Sequence, residues 1–238
     1  MDSSISASQL TPARRQSVRL WLSKAGLLGY LLLALAAFAA LPFLAFQTTR
    51  GSYAGFLVGP GLFVFDVPHA SAAYAQGLRI GDRIQAVNGS PVSDAAAFAA
   101  AMSGSAQVEI TAAGPNGVLT LEIDAQPFPP LRSLDWIYIP FLVGVVYLAS
   151  AVWTFAVRRS RLSGQMLVVF SISAAILAGG LFDFFSSQRL AALWVAALAL
   201  SASATFSLGL LFPTEDLVGK RYPFVHALFF ILCLLLGL

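Results

Sequence analysis

The sequence predicts an α-helical membrane protein that crosses the bilayer several times and carries one small α+β domain on the extracytoplasmic side. Three observations predict it. Of 238 residues, 58% are hydrophobic and only 11% are charged, against roughly a quarter charged in soluble domains. Apolar residues gather into runs of the ~20 that a spanning helix needs, over residues 25–46, 137–157, 166–185 and 190–212. Between the first two runs the hydropathy breaks into short stretches separated by Gly, Pro and Asn, as in a small β-rich unit.

The first run follows Arg14, Arg15, Arg19 and Lys24. Its apolar core is longer than the ~7–15 residues of a secretory signal peptide, and its exit, FLAFQTTRG, offers no small-x-small cleavage site. It reads as an uncleaved anchor after a basic, cytoplasmic N-terminus (residues 1–24). Basic flanks of spanning helices stay in the cytoplasm. Arg158, Arg159 and Arg161 follow the second run, and Lys220 and Arg221 follow the fourth, whereas the turn after the third carries Arg189 alone. The alternation predicts that residues 50–127 lie outside the cytoplasm. A fifth apolar run, residues 225–238, stops with the last residue, and the reading expects its helix to continue beyond Leu238.

Within residues 50–127, strands are expected over 56–58 and 62–67, joined by Gly59-Pro60-Gly61. Residues 71–76 form a helical turn or two, ended by Gly77 as a left-handed cap. Residues 83–87 alternate and close on Asn88-Gly89, a strong hairpin dipeptide. Residues 94–102 read as a helix with Ser93 or Asp94 as N-cap. Residues 107–112 and 118–123 alternate across Gly114-Pro115-Asn116-Gly117. Together they predict a barrel-like sheet with two helices.

Gly55-Phe56, Ala72-Ala73 before Gly77-Leu78, Gly81-Asp82-Arg83-Ile84, Val87-Asn88-Gly89, Val92 and the Phe98/Met102 helix stand in one order ahead of an alternating hairpin. In that order they resemble the PDZ domain, in the strand arrangement common in bacterial proteins, over about a third of the chain. The resemblance implies peptide binding. Tyr53, Ala54, Gly55 and Phe56 would form the carboxylate loop, and Phe56, Leu57 and Val58 the edge on which a guest strand pairs. Ala95, Ala99 and Met102 would form the groove face of the helix, with Phe98 and Ala101 turned to the core. Successive backbone N–H groups aimed into one hollow suit an anion, and a free strand edge accepts an added strand. Alanine at two groove positions leaves a wide apolar pocket suited to a hydrophobic terminal side chain. Pro60, which donates no ladder bond, shortens the pairing edge. The implied partner is a C-terminal or extended segment of an extracytoplasmic protein, beside the lipid bilayer itself. The implied location is a bacterial inner membrane.

Other chemistry is weak. A zinc-protease helix needs two His four apart with an adjacent Glu, and His69 and His226 are far apart. Cys233 has no partner cysteine. Ser201, Ser203, Thr205 and Ser207 suit close helix packing better than catalysis. Asp183 is expected near the outer membrane interface, solvated or paired with Arg189. No catalytic set, metal or other cofactor is expected, and nucleic acid is excluded because the basic residues flank apolar runs. The stretch LLFPTEDLVGKRYP resembles a cytoplasmic turn in the multi-span N-terminal regions of bacterial sensor histidine kinases. The expected function is a non-catalytic, membrane-anchored input module of a signalling protein. The alternatives are the substrate-recognition part of a membrane protease with catalytic residues elsewhere, or a membrane scaffold.

Overall fold

A computed structural model describes residues 12–103, 105–115, 117–158 and 161–211. The expected fifth run, Lys220, Arg221, His226, Cys233, Arg159, Asn116 and most of LLFPTEDLVGKRYP lie outside the described residues. Among the described residues four helices are long and apolar enough to cross a membrane: Ala25–Thr49, Pro130–Arg158, Leu162–Gly179 and Ala191–Leu210.

Helix α1 (Pro12–Thr49) runs 38 residues, ~57 Å at 1.5 Å per residue, and so begins well before the apolar run. The chain then builds the domain as β1 (Leu57–Val58), a 3-10 turn (Pro60–Leu62), β2 (Val64–Asp66), α2 (Ala72–Ala75), β3 (Arg83–Val87), β4 (Ser90–Pro91), α3 (Ala95–Met102), β5 (Gln107–Gly114) and β6 (Gly117–Asp124). It returns through α4 (Pro130–Ser133), a π-turn (Leu134–Tyr138), α5 (Ile139–Arg158), α6 (Leu162–Gly179), the short α7 (Leu181–Phe184) and α8 (Ala191–Leu211). The sequence reading joined α6 and α7 into one span over 166–185. The break falls at Gly179-Gly180, two residues of low helix propensity, after which the chain makes a separate turn.

The domain has two sheets, β1-β2 and β4-β3-β5-β6, all antiparallel. A bridge from Phe63 to Arg83 joins them, and one from Tyr53 to Gln126 ties the domain's ends together. Asn88 (φ 50°) and Gly89 (φ 73°) turn β3 into β4, with the positive φ at both central positions that a type I′ hairpin requires. β5 sends Val108, Ile110 and Ala112 inward, where they meet Leu78, Ile84, Val87, Leu121 and Met102. Both helices are capped: Ser71 Oγ accepts from Tyr74 N at 3.2 Å, and Asp94 Oδ1 accepts from Ala97 N at 2.8 Å. Asp82, buried in the Gly81-Asp82 turn, accepts from Arg79 N at 2.8 Å.

In the helical bundle α6 is central, with α1, α5 and α8 packed on it. Small residues let the helices approach. A Cβ on Gly144 would stand 2.6 Å from Phe38 Cζ and 2.9 Å from the Ala175 carbonyl, and one on Gly179 would stand 2.6 Å from the same Phe38 atom. Ser203 and Ser207 are buried on α8, as packing residues should be. Tyr30 and Ser173 share a hydrogen bond of 3.0 Å between α1 and α6. On α5, Leu142, Val146, Trp153 and Val157 stay exposed along one stripe.

Candidate functional site

A cleft of about 230 Å³ opens between β1 and α3. Of the sequence-predicted residues, Tyr53, Phe56, Leu57, Val58, Ala95, Ala99 and Met102 line it. Ala54 and Gly55 belong to the loop at its end but do not line it, Ala54 being buried in the core and Gly55 having no side chain.

The loop turns on a glycine. Gly55 adopts φ +84°, a conformation open mainly to glycine, and the chain bends at Gly55 and Phe56. Tyr53 N is used, donating to the Gln126 carbonyl at 2.8 Å. The amides of Ala54, Gly55 and Phe56 donate to no backbone carbonyl outside the strand ladders among the described residues. Such a run of donors forms a concave site for an anion. β1 is two residues long and pairs with β2 on one side only. Gly59 N closes onto the Phe63 carbonyl at 2.8 Å and Pro60 starts the 3-10 turn, which sets the short edge expected from the proline.

The helix face carries one addition. Phe98 was expected in the core and Met102 in the groove. Phe98 packs against the core with Ala101, as expected, and also lines the cleft, half-buried, with its ring 6.1 Å from Phe56. Met102 lines the cleft as expected and is at the same time buried in the core, 2% exposed. Residues 95, 98, 99 and 102 follow the i, i+3, i+4, i+7 rule of a single helical stripe, so Phe98 cannot be separated from Ala95 and Ala99. The cleft is therefore narrower than two alanines imply.

Sequence reasoning missed the opposite wall. Gln47 and Thr48 from the end of α1, Phe128 before α4, and Phe182, Phe185, Ser186, Ser187 and Arg189 from the α6–α8 turn all line the same cleft. Aromatic rings hold this wall against the domain. Phe185 stacks on Phe65 of β2 at 3.6 Å, and Tyr53, Phe128 and Phe182 follow edge to face at 4.9 and 5.5 Å. Arg132 at the head of α4 donates to Asp66 at 2.6 Å and to the Tyr53 hydroxyl at 3.1 Å. Burial pushes the Tyr53 phenol above its ordinary value, with the Arg132 guanidinium opposing the rise.

Asp183 organises that turn, which corrects the expected pairing with Arg189. The Asp183 side chain is buried. It accepts from Ser187 Oγ and from Leu190 N, the latter at 2.8 Å, while its carbonyl accepts from Gln188 N at 2.7 Å. Gln188 is held at φ +57°, unusual for a side-chain-bearing residue. Arg189 reaches the other way, donating to Gln47 Oε1 at 2.6 Å. The available signal was Arg189 itself, a lone cation on the turn predicted to share the domain's side. Among the described residues no cluster of His, Cys, Asp or Glu could hold a metal, and His69 packs its ring on Tyr74.

A short free strand edge, a capped helix beside it and a loop of spare amides define a domain of the peptide-binding class. The family model of the PDZ domain matches residues 43–123: the chain carries a PDZ domain, a protein-interaction module, flanked by helices apolar enough to span a membrane. No curated protein matches the chain.

Proposed function

We propose that this chain is a non-catalytic, membrane-anchored binding module whose PDZ domain lies on the extracytoplasmic side, takes the free C-terminus of a partner protein, and serves as the input region of a membrane signalling protein. The observation that carries the binding reading is the cleft itself: largely apolar walls that include Tyr53 and Phe56, the two ends of a loop whose Ala54, Gly55 and Phe56 amides donate to no backbone carbonyl outside the strand ladders among the described residues. Those walls suit an apolar last side chain, and the amides suit its carboxylate.

Two observations support the membrane placement. The exposed stripe Leu142, Val146, Trp153 and Val157 suits lipid. Arg158 and Arg161 lie at the end of α5 away from the domain, ~30 Å along the helix, where the positive-inside rule expects the cytoplasm. The signalling part rests on connectivity. The domain is joined to α1 at one end and to α4 and α5 at the other, so a ligand with different affinity for two arrangements of these helices would shift their populations.

The test uses the full chain in detergent micelles and fluorescent peptide pools with a random body and a hydrophobic last residue, either free or amidated. Free-acid pools should bind weakly and saturably, and amidation should abolish binding, because the amides lose a charged acceptor. Gly55→Pro should abolish it too, since proline removes a donor and cannot adopt φ +84°. Equal binding of free and amidated pools, or none, would sink the carboxylate reading and leave the domain as a spacer or internal docking surface.

A further inference from the structure

Arg189 is the one charged side chain among the residues lining the cleft. It is exposed and forms no ion pair among the described residues, where the salt bridge found is Arg132–Asp66. Among the described residues Arg189 donates to neutral Gln47, and Gln47, Thr48, Gly51, Ser52 and Tyr53 line the same cleft. The guanidinium therefore stands on the cleft wall beside the end of α1. Its position is built: the buried Asp183 carboxylate and Ser187 hold the turn, and Phe185 pins it to Phe65. The nearby Asp183 carboxylate is taken up by Ser187 and Leu190 N, so the guanidinium, unpaired by an acid among the described residues and lining the same cleft as Tyr53 and Phe56, complements an anion.

We propose that the peptide cleft is composite, shared between the PDZ domain and the membrane-helix turn, and that Arg189 on this turn is the cation that receives the guest's terminal carboxylate together with the amides of Ala54, Gly55 and Phe56. This rests on the reading that the cleft takes a free C-terminus, and it adds that the membrane helices themselves select for the charge. The guest's last residue lies between the domain and the turn, so its arrival is felt by α6 and α8 directly.

The experiment is equilibrium binding of the free-acid and amidated pools to the full chain in micelles, for wild type, Arg189→Gln and Arg189→Lys, across a salt series. Arg189→Gln should weaken free-acid binding by about tenfold or more, the range of a lost charge-assisted bond, and flatten its salt dependence. Arg189→Lys should keep the salt dependence and recover part of the affinity, while lacking the planar fork. The exposed position predicts an unchanged melting curve. If Arg189→Gln binds the free acid as wild type does while amidation still abolishes binding, the loop alone holds the carboxylate; the composite site is then wrong and the peptide reading stands. If it binds more tightly, the turn is a plug, which overturns the proposal. If wild type fails to distinguish free from amidated ends, both readings fall. Should Arg189→Gln not fold, the wild-type salt series still decides: free-acid binding that ignores salt rules Arg189 out.

Discussion

At the residue scale, three of the described acidic side chains work as structural acceptors. Asp183 ties a turn, Asp82 accepts from Arg79 N, and Asp94 caps α3. Hydrogen bonds to the ionised form favour it. The Ala97 amide first, and then the Ser93 hydroxyl, hold the Asp94 carboxyl below its usual value. The sign follows from linkage: a depressed folded value contributes stability that is present above the unfolded value and is lost as pH falls through the folded one. Asp94→Ala should therefore melt earlier than wild type at neutral pH. The gap should close as pH drops below about 4, the ordinary aspartate value, in thermal melts followed by circular dichroism. A gap that persists unchanged at lower pH would show that Asp94 acts through something other than its charge.

At the scale of elements, the two halves of the molecule rest on different physics. The domain's sheet follows binary alternation, so β3, β5 and β6 were legible within a residue or two, and the Asn88-Gly89 and Gly77 turns were legible because positive φ has few residue solutions. The helices contain no such code for their neighbours. Which face of α6 meets α1 or α5 depends on close approach at glycine, and Gly144 and Gly179 both receive Phe38 of α1. Gly144→Val should force α5 away from α6, because the new side chain meets a backbone carbonyl as well as a ring. An overpacking cost of about 1–3 kcal/mol is expected, read as a lower melting temperature of the full chain in detergent. Gly26→Val, at a site with open space, should change the melt little. Equal effects at the two positions would remove the packing explanation.

At the scale of the whole molecule, the PDZ domain is docked onto the helices it is threaded through. Phe65, Phe185 and Trp136 meet at one junction, and Arg132 ties Asp66 and Tyr53 to the head of α4 at another. Both junctions lie beside the cleft, so occupancy and helix packing share residues such as Tyr53 and Phe185. The proposed orientation makes a direct prediction. A reporter active only in the cytoplasm should work when fused after Arg161 and fail when fused after Gly89. Activity after Gly89 would place the cleft in the cytoplasm and remove every extracytoplasmic partner.

The sequence by itself determined the membrane-compatible composition, four apolar helices, the small α+β domain between the first two and its resemblance to a PDZ domain. These are local properties, carried by runs of about 20 apolar residues, period-two alternation and turn dipeptides within a few positions of each other. It also pointed to the loop at Tyr53–Phe56 and to most of the α3 face, since both are contiguous in the chain. Only the tertiary structure decided that Phe98 shares that face as a cleft wall, that Asp183 binds its own turn in place of Arg189, and that Arg189 lines the same cleft as β1. The last pairing joins residues more than a hundred positions apart. No periodicity spans that distance, and it exists because α1 and the α6–α8 turn end at the same level of the bundle, beneath the domain.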